Sequence, residues 1–273
     1  MKFAIDSTVY SKFPNLNIGY VLADIVNHKT HSYVDEQKTG LANHLKTCYE
    51  IDKTSYARNT TLELWRKVYE GFGVKPKTYP ASVTSLVKRV VDGKGIWNIS
   101  AVVDLYNCHS VMGLAPMGGY DVSNIEGDIV LRFGEEGETF LGLGAKEVVP
   151  VTTKQIVYAD DKGVICWLWN HKDCQRTMIT NDTTRALFFI DCADINQSPS
   201  IKDLLTSFAN DLNKIGCKVL EIDLLDATKP MTTFSTHRPT QNSEDPIIST
   251  IIEELTIATP EDTDKPPRLE LRF

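Results

Sequence analysis

The stretch Trp97–Phe140, WNISAVVDLYNCHSVMGLAPMGGYDVSNIEGDIVLRFGEEGETF, decides how the rest of the chain is read. Ile99, Val102, Val103, Tyr106, Val111 and Met112 recur at roughly helical spacing and predict an amphipathic helix. Gly-Leu-Ala-Pro-Met-Gly-Gly-Tyr-Asp, residues 113–121, then places three glycines and a proline inside nine residues and reads as a loop. Asp128-Ile-Val-Leu-Arg-Phe133 reads as a strand, closed by the Gly134-Glu-Glu-Gly137 turn. A helix delivered onto a Gly/Pro-rich loop ahead of a strand is a common place for a binding site. Glycine accepts positive φ and lets a ligand approach the main chain closely.

Composition bounds the possibilities. With 273 residues the chain can bury a large core in one domain or two small ones. It is 42% hydrophobic and 24% charged, a globular mixture rather than a disordered or membrane one. No apolar run is long enough to span a bilayer, and Met-Lys-Phe-Ala-Ile-Asp-Ser at the start has no signal-peptide core, so a cytoplasmic protein is expected. The cysteines (Cys48, Cys108, Cys166, Cys174, Cys192, Cys217) are scattered and read as free thiols. A formal net charge of −7 argues against a general nucleic-acid binder, whose affinity comes from Lys and Arg against phosphate. It permits a protein that holds only the end of an RNA strand.

Read in order, Lys2–Tyr10 and Ile18–Val26 predict strands around a Phe13-Pro14-Asn15 turn. Asp35–Ile51 predicts a helix. Asn59-Thr-Thr-Leu-Glu63 looks like a capping box opening a second helix that stops near Gly71–Gly73. Pro80-Ala-Ser82 opens a third, with Val83, Leu86, Val87 and Val90 inward. From Asp128 the chain turns β-rich. Asp160-Asp-Lys-Gly163 is a tight hairpin turn, and Ala186–Cys192 is apolar enough to be a central strand. A helix over Ile201–Ile215 and a strand from Lys218 follow. The expected class is α+β: N-terminal strands and helices, then a mixed β-sheet with packed helices. One domain over residues 1–226 is expected, followed by an acidic, Thr/Pro-rich, partly flexible extension over residues 227–273. Within that extension Ile247, Ile248, Ile251, Ile252 and Leu255 share a helical stripe, and Arg268–Phe273 alternates like a strand.

Several separated motifs carry a family resemblance. Asp104-Leu-Tyr-Asn107, Pro116-Met-Gly-Gly-Tyr-Asp121 and Gly127-Asp-Ile-Val-Leu-Arg132 with Glu138 resemble the editing module of the phenylalanyl-tRNA synthetase β-subunit, its third-and-fourth-domain, tRNA-binding unit. Residues 76–90, Tyr158–Val164 and Trp169-Asn170 resemble free-standing versions of that module. The resemblance implies the module's fold and hydrolysis of mischarged aminoacyl-tRNA in trans. The bond would be an ester on the terminal adenosine. Such an ester needs a held substrate, a placed water and donors for the oxyanion, with neither metal nor cofactor. The family loop reads approximately Pro-Leu-His-Ala-Phe-Asp, so Gly118 replaces a pocket histidine. A family glycine pair is replaced by Trp167-Leu-Trp169-Asn170-His171, and a family glutamate by Asp191. The resemblance therefore implies Asp191, Gly118 and Gly119 as catalytic residues. Asn107, Pro116, Met117, Asp121, Trp169, Asn170 and His171 would bind substrate.

Each assignment has a plainer alternative. Asp191 is otherwise a turn or cap residue. Asn107 otherwise ties the helix to the next loop, and Asp121 caps a turn. Arg132 most often pairs with a carboxylate such as Glu138. Trp167 and Trp169 suit a core or pocket wall, and His171 a solvated turn. Lys75, Lys77, Lys88 and Arg89, with Lys94, form the one basic cluster, either a solvated helix face or a contact for the tRNA acceptor end. The expected partner is that acceptor end or an aminoacyl-tRNA. The alternative is a non-catalytic binding protein for a free amino acid or related small molecule. Oligomeric state is left unassigned.

Overall fold

The structure is a computed structural model. It describes residues 1–196, 198 and 200–234, so the helical stripe at 247–255 and the strand at 268–273 lie outside the described residues. The first half comprises β1 (Lys2–Ile5), α1 (Ser7–Lys12), β2 (Asn17–Asp24), α2 (Ser32–Tyr49), α3 (Thr60–Gly71), α4 (Ser82–Val91) and α5 (Ala101–Gly113). Then come β3 (Met117–Asp121), β4 (Ile129–Phe133), β5 (Thr139–Phe140), β6 (Val149–Pro150), β7 (Ile156–Asp160), β8 (Gly163–Trp167) and β9 (Lys172–Asp173). The last described elements are β10 (Arg185–Cys192), α6 (Ile201–Lys214), β11 (Lys218–Leu225) and β12 (Met231–Thr233).

Local chemistry sets most boundaries. The Asp6 carboxylate accepts the Thr8 amide at 2.8 Å and starts α1, so the strand expected over Lys2–Tyr10 ends at Ile5. Asn59 Oδ1 accepts the Thr61 and Leu62 amides at 3.1 and 3.2 Å. Asn59 itself therefore caps α3, in place of Thr60 or Thr61. The helix expected to contain Ile99 begins only at Ala101, which leaves Trp97 and Ile99 on an exposed connection.

The fold is α+β with a mixed sheet and packed helices, as expected; among the described residues the strands form a six-stranded sheet, order β12-β1-β4-β7-β8-β9, and a four-stranded sheet, order β11-β2-β10-β3. The β5–β6 pair is separate. β1 and β4 run parallel, which makes the larger sheet mixed. β12 pairs with β1, so the chain contributes to this sheet beyond residue 226. Of the Gly/Pro-rich segment read as a loop, Met117–Asp121 is strand β3, pairing antiparallel with β10 from Asp121↔Ala186 to Met117↔Ile190. Pairing overrides the weak intrinsic strand preference of its glycines, as tertiary context often does.

The two larger sheets share a core. Phe189 on β10 lies 4.4 Å from Phe3 on β1 and 5.1 Å from Tyr158 on β7, measured between ring centroids. The other face of β10 meets the helices: Phe188 packs on Phe208 of α6 at 5.1 Å and on Tyr106 of α5 at 6.1 Å. β10 is thus the shared layer, and all eight of its residues are buried. Truncating Phe189 to alanine removes the ring at that junction. Urea denaturation should show a loss of about 3–5 kcal/mol, the usual cost of a buried Phe→Ala change. A loss near zero would contradict the packing described here.

Candidate functional site

Alternation along β10 sends Leu187, Phe189 and Asp191 toward the six-stranded sheet and Phe188 and Ile190 toward the helices. The Asp191 amide donates to the Pro116 carbonyl at 2.9 Å. Gly118, two residues on and opposite Phe189, falls in the same hydrogen-bonding phase, so its N–H faces β10. Gly119 is in the opposite phase and its N–H faces away. A Cβ at Gly119 would meet Ile179 at 2.8 Å and the Phe188 ring at 2.9 Å, so glycine is required there for packing. Gly118 is partly exposed, and a Cβ there would sit 3.2 Å from the Tyr120 hydroxyl oxygen. The position that resembles a family histidine is therefore covered by the Tyr120 ring and hydroxyl.

Two tyrosine–carboxyl pairs flank this face. The Tyr158 hydroxyl donates to Asp191 Oδ1 at 2.5 Å, and the Asn170 amide donates to Oδ2 at 2.9 Å. The Tyr69 hydroxyl holds Asn170 in turn, donating to its Oδ1 at 2.9 Å. The Trp169 indole N–H lies by the same carboxyl but in poor hydrogen-bond geometry, and is buried without a partner. Burial pushes the Asp191 carboxyl up to about 7, against the hydrogen bonds that favour its charge. In the second pair, the Tyr120 hydroxyl donates to Asp173 Oδ1 at 2.9 Å, and the Cys166 thiol bonds the same carboxyl. Loss of solvent around Asp173, a residue that keeps some surface exposure, raises its carboxyl too. Strand pairing explains the juxtaposition. Cys166 stands opposite Tyr158 of β7 on one side and Asp173 of β9 on the other. The result is a polar seam between the sheets whose bonds run through neutral donors. Burial raises the Cys166 thiol far above its ordinary range, so it is not a nucleophile.

The rim is built by a tight reversal after β8. Leu168 and Trp169 take left-handed φ of 53° and 66°, the region glycine favours, in the segment where the resemblance expects a glycine pair. Trp169 holds this turn by wedging between Phe13 and Trp65, each 5.2 Å away. The Ser82 amide at the start of α4 donates to the Asn170 carbonyl at 3.2 Å. His171 Nδ1 lies 2.7 Å from the Pro80 carbonyl, which can only accept, so Nδ1 carries the proton. Burial lowers the imidazole's pKa and keeps it neutral. Its Nε2 lone pair is then the acceptor, between the rings of Tyr79 and Trp167.

The structure brings Asp191, Asn170, Trp169 and Pro116 together beside Gly118. Met117 points to the other face of β3, and Asn107 is half-buried on α5. Asp121 caps, accepting from the Ser123 amide at 2.9 Å and the Thr183 hydroxyl at 2.7 Å. Arg132 pairs with Glu138 at 2.8 Å. Lys75 and Lys77 are exposed ahead of α4, Lys88 pairs with Asp92 at 2.6 Å, and Arg89 stacks on Trp97. Sequence reasoning missed Tyr69, Tyr120, Tyr158, Cys166 and Asp173. Only the Asp160–Gly163 hairpin turn, which sets Tyr158 against Cys166, hinted at any of them. A shallow groove of ≈ 370 Å³ along β4 and β7 holds acids already paired, Glu138 with Arg132 and Asp160 with Arg176.

The B3/4 domain family model matches residues 64–204. Over 93 residues, 34% of this chain, it is 33% identical to a phenylalanine–tRNA ligase β subunit of Chromobacterium violaceum. Over 100 residues, 35% of the chain, it is 30% identical to that of Wolbachia sp. subsp. Brugia malayi. The matched region spans 12% of the length of each relative. Among solved structures, an N-terminal fragment of the phenylalanyl-tRNA synthetase β-subunit from Pyrococcus horikoshii aligns with TM-score 0.42 and 12% identity, covering 80% of this chain and 49% of that one. No helix among the described residues is long and apolar enough to cross a membrane.

The Asp191 environment has a consequence for stability. Its carboxyl titrates at about 7 in the fold against an ordinary 3.8, so the native state holds the extra proton between those values. This group's contribution to stability is fully present below about pH 4 and is lost as pH rises through 7. Asp191→Asn keeps the shape and removes the titration. Between pH 5 and 7.5 the variant should gain on wild type by up to ~3 kcal/mol in urea denaturation. A difference that does not change with pH would mean that Asp191 is ionised throughout.

Proposed function

We propose that this chain, which belongs to the B3/4 domain family, binds the acceptor end of aminoacyl-tRNA and hydrolyses the ester of a mischarged amino acid in trans. The observation that carries this reading is a buried carboxyl held only by neutral donors, with the partly exposed Gly118 nearby on the adjoining strand. A carboxyl so placed can exchange the Asn170 amide for the α-ammonium or hydroxyl of a bound aminoacyl group. Gly119 is buried and its amide faces away from β10 and Asp191, so the oxyanion donor is not this amide. His171, neutral and with Nε2 as its acceptor, is the rim group able to take a proton from water. The ester is activated enough that orientation and oxyanion donors suffice, and the inert Cys166 is not needed.

A second reading has its own support. Both Asp191 oxygens already accept hydrogen bonds, and a binding protein for a free amino acid needs no water placed beside them. Single-turnover deacylation separates the two. Incubated with a panel of correctly and incorrectly charged tRNAs, the protein should accelerate loss of one mischarged species. Asp191→Asn should slow that loss by about 10²-fold. If no species is lost above its spontaneous rate while a free amino acid raises Tm, the binding-protein reading replaces hydrolysis.

A further inference from the structure

The connection between α4 and α5 displays a second aromatic feature, away from the Asp191 seam. Trp97 is 48% exposed and Ile99 54%, an uncommon degree of exposure for such side chains. The connection is nonetheless fixed. Lys38 Nζ donates to the Trp97 carbonyl at 3.2 Å and pairs with Asp104 at 2.6 Å, while the Ile99 amide donates to the other Asp104 oxygen at 2.9 Å. Arg89 Nε donates to the Gly95 carbonyl at 3.1 Å, and its guanidinium carbon stands 3.9 Å from the centre of the Trp97 ring. Arg89 thus spends its hydrogen bond on a neutral carbonyl, keeps its charge available and covers one face of the indole.

Charge favours one kind of occupant. Residues 88–97 hold three basic side chains (Lys88, Arg89, Lys94) and one acidic (Asp92), in a chain whose net charge is −7. A rigid indole extended by a planar, charged guanidinium matches a ligand that alternates flat bases with phosphates. Position agrees. α4 begins at Ser82, bonded to Asn170 of the seam, and its ten residues rise about 1.5 Å each, so Arg89 lies one short helix from the seam. An unpaired strand of a few nucleotides bridges that distance. Resting on the aminoacyl-tRNA reading above, we propose that Trp97 and Arg89 form a stacking platform for an unpaired nucleotide of the acceptor strand, upstream of the terminal adenosine.

The test measures binding of the full chain to an unacylated tRNA preparation and to the same preparation with its unpaired 3′ nucleotides removed. Trp97→Ala should weaken binding to intact tRNA about tenfold, the usual scale of one lost stacking contact. Trp97→Phe should restore most of it. Arg89→Lys should weaken binding while leaving its salt dependence unchanged, since the charge is kept and the planar stack lost. Thermal unfolding should not move, because Trp97 is half exposed. If Trp97→Ala and Arg89→Lys bind intact tRNA like wild type, the platform is refuted and the aminoacyl-tRNA reading stands. Equal losses on trimmed tRNA would refute it as well. If wild type binds no tRNA at all, both readings fall together, an outcome distinct from the other two.

Discussion

A carboxyl group buried on the strand that both sheets and helices press against is the constraint the site is built around. β10 faces the six-stranded sheet on one side and α5 and α6 on the other, so a polar side chain on it must find its partners inside the protein. Asp191 finds them on β7 and on the reversal after β8. That requirement explains geometry which would otherwise be costly. Left-handed φ at Leu168 and Trp169 costs on the order of 1–3 kcal/mol per residue. The reversal persists because it delivers Asn170 to Asp191 and buries Trp169 between two aromatic rings. The turn, the tryptophan and the asparagine behave as one unit, and changing any of them releases the others.

Two other buried carboxylates are treated differently. Asp211 on α6 meets Lys214 at 2.9 Å as well as His109 of α5 at 3.0 Å, and Asp160 meets Arg176 at 2.6 Å. Burial works against ionisation in both cases, but their hydrogen bonds outweigh it and hold both carboxyls below their ordinary value. Those pairs complete themselves. Asp191 and Asp173 are met by tyrosine, asparagine and thiol, and both are raised. Within one core, then, some acids are neutralised by cations of the chain while the two at the seam are left to neutral donors.

Much of this was legible in the residues. The apolar spacing of Val83, Leu86, Val87 and Val90 placed α4, and the unbroken run in β10 marked it as central. Asp191, Asn170 and His171 are singled out in the sequence through resemblance rather than periodicity. What escaped was non-local. The glycines of 113–121 signalled a loop because local propensity carries no information about a partner strand. The structure shows that Gly119 is glycine because Phe188 and Ile179 occupy the space of a side chain. Tyr158, Cys166 and Asp173 become neighbours only through the register of three strands, with an irregularity between Tyr158 and Ala159. Trp97 was absorbed into a predicted helix because an apolar stripe does not say where its first turn starts.

The neutral seam also sets how any cationic ligand would be felt. An ammonium group arriving at Asp191 supplies the charge that the chain withholds, and it favours the ionised carboxyl over the protonated one. Near neutral pH, where burial leaves Asp191 divided between the two forms, such a ligand must expel a proton to bind. Its affinity would climb with pH until the carboxyl is ionised without help. A ligand hydroxyl needs no such exchange, because a protonated carboxyl can still pair with it. The same buried acid would therefore distinguish an ammonium group from a neutral hydroxyl. The distinction comes from the cost of burying charge on β10.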